Sequence, residues 1–169
     1  MGVLSLMIRR LLRVVSVIML VILIVGCNAK TVSTEKEISD VITKDLGADI
    51  EVQIIDTVHL EGKLLVFYMT SDEYQAHEYG YAEFDEKNSE YKFLRTYAMY
   101  DRGIDLRSAS YKNAYLFVVN NADCNYIQVV QNGNEHIVEV EEIPFVYFWG
   151  DAGNMEYYFL DKSGNPLYP

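Results

Sequence analysis

Residues 51–60, Glu-Val-Gln-Ile-Ile-Asp-Thr-Val-His-Leu, decide the fold class, because apolar side chains occupy most of the even-numbered positions. A repeat of two residues is the period of a β-strand whose two faces differ, and it does not fit a helix. The segment 61–63, Glu-Gly-Lys, then predicts a turn, and residues 64–69 predict a second, more apolar strand. This pair predicts the start of an antiparallel sheet.

The same pattern continues toward the C-terminus. Strand-like segments closed by turn residues follow at 77–86, 90–98, 111–120, 125–131, 135–141, 144–149 and 156–161. Asn132-Gly133 is the clearest hairpin turn between them. Because no segment predicts a crossover helix, neighbouring strands are expected to be antiparallel. The sequence therefore predicts a mainly β, α+β domain whose antiparallel meander forms a sandwich or a partial barrel.

One helix is expected before the first strand. Thr34 and Glu37 form the Thr-x-x-Glu pattern of a capping box, and Gly47 suits the position that ends a helix. Apolar residues recur between them at helical spacing, at Ile38, Val41, Ile42 and Leu46. We therefore predict a helix over about 35–46 and a single β-rich domain over 35–169.

Composition excludes several classes of protein. The chain has 169 residues and a net charge of -11, which repels the phosphate backbone of nucleic acids. An aromatic content of 13% is too high for a disordered chain. Two cysteines do not form a disulfide-dense scaffold. The length predicts one domain with a short appendage, and no nucleic-acid partner is expected.

Basic residues mark the N-terminus. Residues 1–26 carry Arg9, Arg10 and Arg13 and no acidic residue. The apolar run at 14–25 would span about 18 Å as a helix, which is less than the roughly 30 Å of a bilayer core. A basic start followed by a short apolar core is typical of a signal peptide for export.

Residues 24–27, Ile-Val-Gly-Cys, resemble the lipobox of bacterial lipoproteins. In that class, a diacylglyceryl group is attached to the cysteine thiol and the chain is cut before the cysteine. The resemblance implies a signal peptide over 1–26, lipid attachment at Cys27 and a lipidated tether over 27–34. It also implies a bacterial protein held at the extracytoplasmic side of the cell membrane. An ordinary thiol beside a signal anchor is the alternative.

No catalytic residue, metal site or cofactor is assigned from the sequence. The motifs G-x-S-x-G, H-E-x-x-H, C-x-x-C and the glycine-rich phosphate loops are not found. His59, His77 and His136 have at best one acidic neighbour each, whereas a zinc site needs three or four converging ligands. Cys124 would have no partner in the chain once Cys27 is lipidated, and we expect a partly covered, unreactive thiol.

Tyrosines supply one set of candidate binding residues. Alternation places Tyr79 and Tyr81 on one face of their strand, and it places Tyr91, Phe93 and Tyr97 on one face of the next. In one interpretation these side chains form cross-strand pairs that stabilise the sheet. In the other, they form an exposed tyrosine platform for a protein or a glycan. We expect at least one of the four tyrosines to be exposed.

The stretch 98–110 supplies the second set. It is the longest segment expected to be irregular, and long loops on sheet scaffolds often carry function. Asp101 and Asp105 lie within it beside Arg102 and Arg107. These residues predict either a structural ion-pair cluster or a polar binding site.

Three functions fit these expectations. The first is a non-catalytic binding or accessory module, anchored in the cell envelope by its lipid and contacting an envelope protein or a glycan. The second is an envelope hydrolase without a recognisable motif. The third is a structural subunit of a membrane complex.

Overall fold

One helix and twelve β-strands make up the part of the chain that the computed structural model describes, residues 31–47, 50–71, 77–151 and 153–168. The helix, α1, is Glu35–Leu46. The strands are β1 Thr31–Val32, β2 Glu51–Leu60, β3 Lys63–Ser71, β4 Tyr79–Lys87, β5 Glu90–Ala98, β6 Tyr100–Asp101, β7 Leu106–Tyr111, β8 Ala114–Val119, β9 Tyr126–Gln131, β10 Asn134–Glu139, β11 Phe145–Trp149 and β12 Met155–Leu160.

Every strand pairing is antiparallel, and the strands form three sheets. The first sheet has the order β1-β5-β4-β3-β2, the second has the order β11-β8-β7-β6, and the third has the order β10-β9-β12. The predicted mainly β, α+β architecture is therefore confirmed. The order departs from a simple meander near the C-terminus, because β11 pairs with β8 and β12 pairs with β9.

The helix forms where the capping box predicts it. The Oγ1 atom of Thr34 accepts the N–H of Glu37 at 3.3 Å, and the N–H of Thr34 donates to the Glu37 carboxylate at 3.2 Å. These two bonds satisfy N–H groups that have no partner within the helix. Ile38 and Ile42 are buried against the first sheet. Within the described residues, no helix has the length and apolar character to cross a membrane.

The domain begins before the predicted boundary at residue 35. Thr31–Val32 pairs with β5, and the Val32 side chain is buried in the core beneath α1. These two residues lie inside the segment 27–34 that was predicted as a tether. The predicted signal peptide and Cys27 lie outside the described residues.

The elements stack in layers because two strands are buried on both faces. Alternate residues of β3 pack toward α1 and toward the second sheet. Alternate residues of β8 pack toward the first sheet and toward the third. The order of the layers is therefore α1, first sheet, second sheet and third sheet. A strand covered on both sides is expected to be continuously apolar, as β3 and β8 are.

The stretch 98–110 is not irregular as predicted. It contains β6 and most of β7, and the segment predicted as one strand over 111–120 is divided by a turn at 112–113. Lys112 occupies the left-handed backbone region there, with φ 52°. A Lys-Asn pair is not among the preferred residues for such a turn, which explains why the sequence did not indicate it.

A β-bulge in β5 changes which tyrosines share a face. Leu94 has no opposite residue on β4, because the register shifts at this point. One extra residue reverses the alternation of side chains. Tyr91 and Phe93 therefore pack toward α1, whereas Tyr97 packs toward the second sheet. The prediction that these three side chains share one face is wrong.

Candidate functional site

Asp101 and Asp105 lie at the two ends of a narrow turn between β6 and β7. The backbone occupies the left-handed region at Gly103, with φ 130°, and at Asp105, with φ 54°. Across the turn, the N–H of Arg102 donates to the carbonyl of Leu106 at 3.0 Å. Because strands hold both ends, the turn has little freedom to change shape.

Asp101 fixes the turn through Arg107. The Nη1 atom of Arg107 donates to Asp101 Oδ1 at 3.1 Å and to the carbonyls of Gly103 at 2.8 Å and Leu106 at 2.9 Å. The guanidinium also lies 5.0 Å from the centre of the Tyr79 ring. Arg107 is mostly buried, so these contacts brace the turn from beneath. For Asp101, the structure supports the interpretation of a structural ion pair.

Asp105 has a similar bracing role. Its Oδ1 atom accepts the Tyr79 hydroxyl at 2.9 Å, and its carbonyl accepts the N–H of Asn120 at 2.8 Å. The Nδ2 atom of Asn120 also donates to the Tyr79 hydroxyl oxygen at 2.9 Å. Burial, reinforced by the hydrogen bond to Asp105, raises the pKa of Tyr79 to about 12. Tyr79 therefore remains a neutral donor at physiological pH.

Arg102 connects the turn to the third sheet. Its Nε atom donates to Ser108 Oγ at 2.8 Å, and that hydroxyl lies 2.8 Å from the Tyr157 hydroxyl. The guanidinium carbon is 5.9 Å from the Tyr100 ring centre and 5.7 Å from the Tyr157 ring centre. Both distances fall within the range of cation–π attraction. The Arg102 side chain is thereby fixed between two aromatic rings.

The braced turn presents apolar side chains to solvent. Ile104 is 71% exposed, Tyr100 is 65% exposed and Tyr168 is 38% exposed. The Tyr168 hydroxyl accepts the N–H of Ile104 at 3.3 Å. Its ring lies over Gly103, where any side chain would overlap it. We call the four residues Tyr100, Arg102, Ile104 and Tyr168 the tip patch.

Sequence reasoning located this part of the chain but missed the tip patch. Tyr100 directly precedes the charged stretch 101–107 and Ile104 lies within it, and these uncharged residues beside charged ones are the signal that could have indicated them. Their exposure depends on how β6 and β7 pair. Tyr168 is distant in sequence, so its proximity could not be deduced from local pattern.

The predicted tyrosine platform does not form. Tyr79 is 4% exposed and Tyr81 is 3% exposed, so both belong to the core between the first and second sheets. Tyr91 and Tyr97 are partly buried and face opposite sides of the first sheet. An aromatic cross-strand pair is present instead, because the Tyr81 and Tyr97 rings stack with their centres 4.7 Å apart.

A buried carboxylate lies beside this pair. Glu83 accepts the Tyr97 hydroxyl at 3.2 Å and the Tyr111 hydroxyl at 3.1 Å. Its oxygens are also 3.4 Å from Lys63 Nζ and 3.9 Å from Arg95 Nε. The Glu83 side chain is 9% exposed. Sequence reasoning missed this cluster, although an acidic residue at an inward position of a strand could have indicated it.

The remaining predicted residues do not assemble into a reactive centre. Burial raises the pKa of the Cys124 thiol to about 11, in keeping with the predicted unreactive thiol. His59 is exposed and lies 2.8 Å from Glu86. Within the described ranges, no group of three His, Cys, Asp or Glu side chains could hold a metal ion. Cys27 lies outside those ranges.

A groove of about 480 Å³ opens beside the braced turn. Leu46, Ile50 and Met99 contribute apolar side chains to its wall, while His77 and Arg107 contribute polar ones. This groove is the feature that best fits the alternative function of an envelope hydrolase, because it brings His77 and Arg107 to one cavity. Comparisons of the chain with protein-family models, with curated proteins and with solved structures find no match.

Proposed function

We propose that this chain is a lipid-anchored protein of a bacterial cell envelope and that its β domain is a non-catalytic binding or accessory module. In this proposal the tip patch contacts the surface of an envelope protein. The proposal depends chiefly on one observation, the exposure of Tyr100 and Ile104 on a turn that is braced from beneath.

Physical reasons connect that observation to binding. A rigid turn loses little conformational entropy when a partner covers it, so more of the contact energy becomes affinity. Tyrosine and arginine are enriched at the centres of protein interfaces, and both occur in the tip patch. The hydrogen bonds of Asp101 and Asp105 hold the turn in a shape that keeps the apolar side chains of Tyr100 and Ile104 exposed to water. A contact surface accounts for that arrangement.

The membrane location in this proposal derives from the sequence. The order of arginines, short apolar run and Ile-Val-Gly-Cys resembles the export signal and lipobox of lipoproteins. A lipid at Cys27 would hold the β domain close to the extracytoplasmic face of the membrane, because few residues separate Cys27 from β1.

Site-specific photocrosslinking tests the contact surface. A photoreactive amino acid replaces Ile104 in the full chain, which is then irradiated in its native membrane. We expect a discrete crosslinked product of higher mass. Ile143 is the matched control position, because it is an exposed isoleucine outside the tip patch, at 42% exposure. The same products from both positions, or none from Ile104, would contradict the proposal.

Metabolic labelling with a fatty-acid analogue tests the anchor. Cys27→Ala is expected to abolish the label and to leave an uncleaved precursor, since only the thiol can accept the lipid. Cys124→Ala is the matched control, because its buried thiol lies in the folded domain and should leave labelling unchanged. Label that persists on the Cys27→Ala protein would overturn the assignment of the anchor.

A further inference from the structure

The outer side of β10 is an open sheet edge. The third sheet has the order β10-β9-β12, so within the described residues no strand pairs with β10 on the side away from β9. Five of the six side chains of β10 are exposed, and Val138 is partly buried. An open edge presents backbone N–H and C=O groups that can pair with another chain.

The hairpin turn determines which backbone groups face outward. Asn132 and Gly133 both have positive φ, at 51° and 77°, as the two central residues of a type I′ turn do. Gln131 and Asn134 flank this turn as a hydrogen-bonded pair, and the pattern then alternates along the strands. The N–H and C=O groups of residues 135, 137 and 139 therefore point away from β9.

The side chains at those three positions are Glu135, Ile137 and Glu139, and they lie on the face turned away from the core. Cations are missing from this region of the sequence. Residues 113–161 contain no Lys or Arg, and their acidic residues are Asp123, Glu135, Glu139, Glu141, Glu142, Asp151, Glu156 and Asp161. The edge therefore combines open hydrogen-bonding groups with negative charge.

A second copy of the chain is a poor partner for this edge. If two β10 strands paired antiparallel about Ile137, Glu135 of each copy would lie opposite Glu139 of the other. Like charges that are directly opposite in a sheet destabilise the pairing. A strand with Lys or Arg at the same positions would instead place opposite charges across the pair.

We propose that β10 binds an extended segment of a partner protein that carries two residues of Lys or Arg four positions apart, with an apolar residue midway between them. The segment adds a fourth strand to the third sheet, with a basic side chain opposite Glu135, an apolar one opposite Ile137 and a basic one opposite Glu139. Backbone hydrogen bonds supply affinity in such strand addition, and the alternate side chains supply specificity. This surface is separate from the tip patch.

A synthetic peptide tests the proposal on the full chain in non-ionic detergent. The probe is acetylated Thr-Lys-Thr-Val-Thr-Lys-Thr, and its control carries Glu in place of both Lys residues. We expect the control to bind at least about tenfold more weakly, because two attractive cross-strand pairs become repulsive. Bound peptide should also slow hydrogen exchange at the amides of Ile137 and Glu139. The amide of His136 already pairs with β9 and should not change.

Two variants separate backbone pairing from general charge attraction. Ile137→Pro removes an outward N–H that β9 does not use, and proline is tolerated at such edge positions. We expect this variant to lose peptide binding, whereas Ile137→Thr keeps the N–H and should keep binding. The double variant Glu135→Lys/Glu139→Lys keeps the backbone hydrogen-bonding groups of β10 and reverses the charge of two side chains. We expect it to prefer the acidic peptide.

Several results would overturn the proposal. Equal binding of the two peptides would show that charge does not select the strand. Binding that survives both Ile137→Pro and the double charge reversal would place the peptide elsewhere. Dimers of the wild-type chain that disappear with Ile137→Pro would identify a second copy as the occupant. None of these results depends on crosslinking at Ile104, so this proposal and the proposed function can fail independently.

Discussion

Glu83 shows how a charge is kept inside this domain. Its side chain lies between the first and second sheets, where a lone carboxylate would lose much of its hydration. Two hydroxyl donors and two cations replace the water, and no buried side-chain N or O atom of the described residues is left without a hydrogen-bond partner. The Tyr97 and Tyr111 hydroxyls depend in turn on Glu83 as their acceptor.

Removing the Glu83 carboxylate should therefore lower the free energy of unfolding by more than the loss of its own hydrogen bonds and ion pairs. We expect Glu83→Ala to lower the free energy of unfolding by about 3 kcal/mol or more, because it leaves the two hydroxyls without their acceptor and removes one of the two carboxylates beside Lys63. Glu83→Gln keeps the shape and one acceptor, so a loss of about 1–2 kcal/mol is expected. Urea unfolding measures both values. Losses under about 1 kcal/mol for both variants would mean that water can replace the carboxylate.

At the scale of elements, the helix and the early strands were predictable, and the β5 bulge was not. Capping, periodicity and a closing glycine all act over a few residues, so α1 could be predicted with its observed ends. The bulge at Leu94 adds one residue without changing composition, and only the pairing with β4 reveals it. The turn at 112–113 was missed for a different reason, because Lys112-Asn113 is not a preferred pair of turn residues.

The capping box of α1 can be tested directly. We expect Thr34→Ala to lower the free energy of unfolding by about 1 kcal/mol, because the N–H of Glu37 loses its side-chain acceptor. Thr34→Ser retains a hydroxyl and is expected to stay close to the wild-type value. Thermal and urea unfolding of the two variants provide the comparison. An equal loss for Ser and Ala would show that the threonine methyl group, and not the cap, is responsible.

At the scale of the whole molecule, the tyrosines make stability dependent on pH. Burial raises the pKa of Tyr68, Tyr79 and Tyr111 to about 12, and the hydrogen bond to Asp85 raises the pKa of Lys63. An unfolded tyrosine has a pKa of about 10. As pH rises above that value, the unfolded chain loses these protons before the folded chain does. Alkaline pH therefore favours unfolding.

We expect the free energy of unfolding to fall as pH rises from about 10 to about 12, with each buried tyrosine contributing up to about 1.4 kcal/mol per pH unit. Below about pH 10 these groups should have little effect. Urea unfolding across this range, with phenolate absorbance as a second signal, measures the dependence. Tyr111→Phe should reduce the slope, whereas Tyr100→Phe, at an exposed position, should not. An equal slope in all three proteins would contradict the expected role of burial.

The candidate site was predictable only in location. Asp101 and Asp105 indicated the segment that contains the turn, because charged residues in a short stretch are a local feature of sequence. The tip patch arises from the distant residue Tyr168 and from strand pairing, which no local pattern specifies. The sequence pattern placed Tyr79 and Tyr81 on one face of their strand, and it was compatible with either a buried or an exposed face. The second sheet, which covers their face, decided between the two.

The layered arrangement also sets an order of assembly along the chain. The core beneath α1 is complete with residues 32–93, the core between the first and second sheets adds residues 97–118 and 146–148, and the third core uses residues 106–167. A chain that is synthesised from its N-terminus can thus close its cores in succession. Until β7 and β8 have been synthesised, Leu65 and Phe67 of β3 have no cover from the second sheet. A nascent chain halted near residue 100 would consequently expose the apolar face that contains Leu65 and Phe67, and a chaperone could bind there.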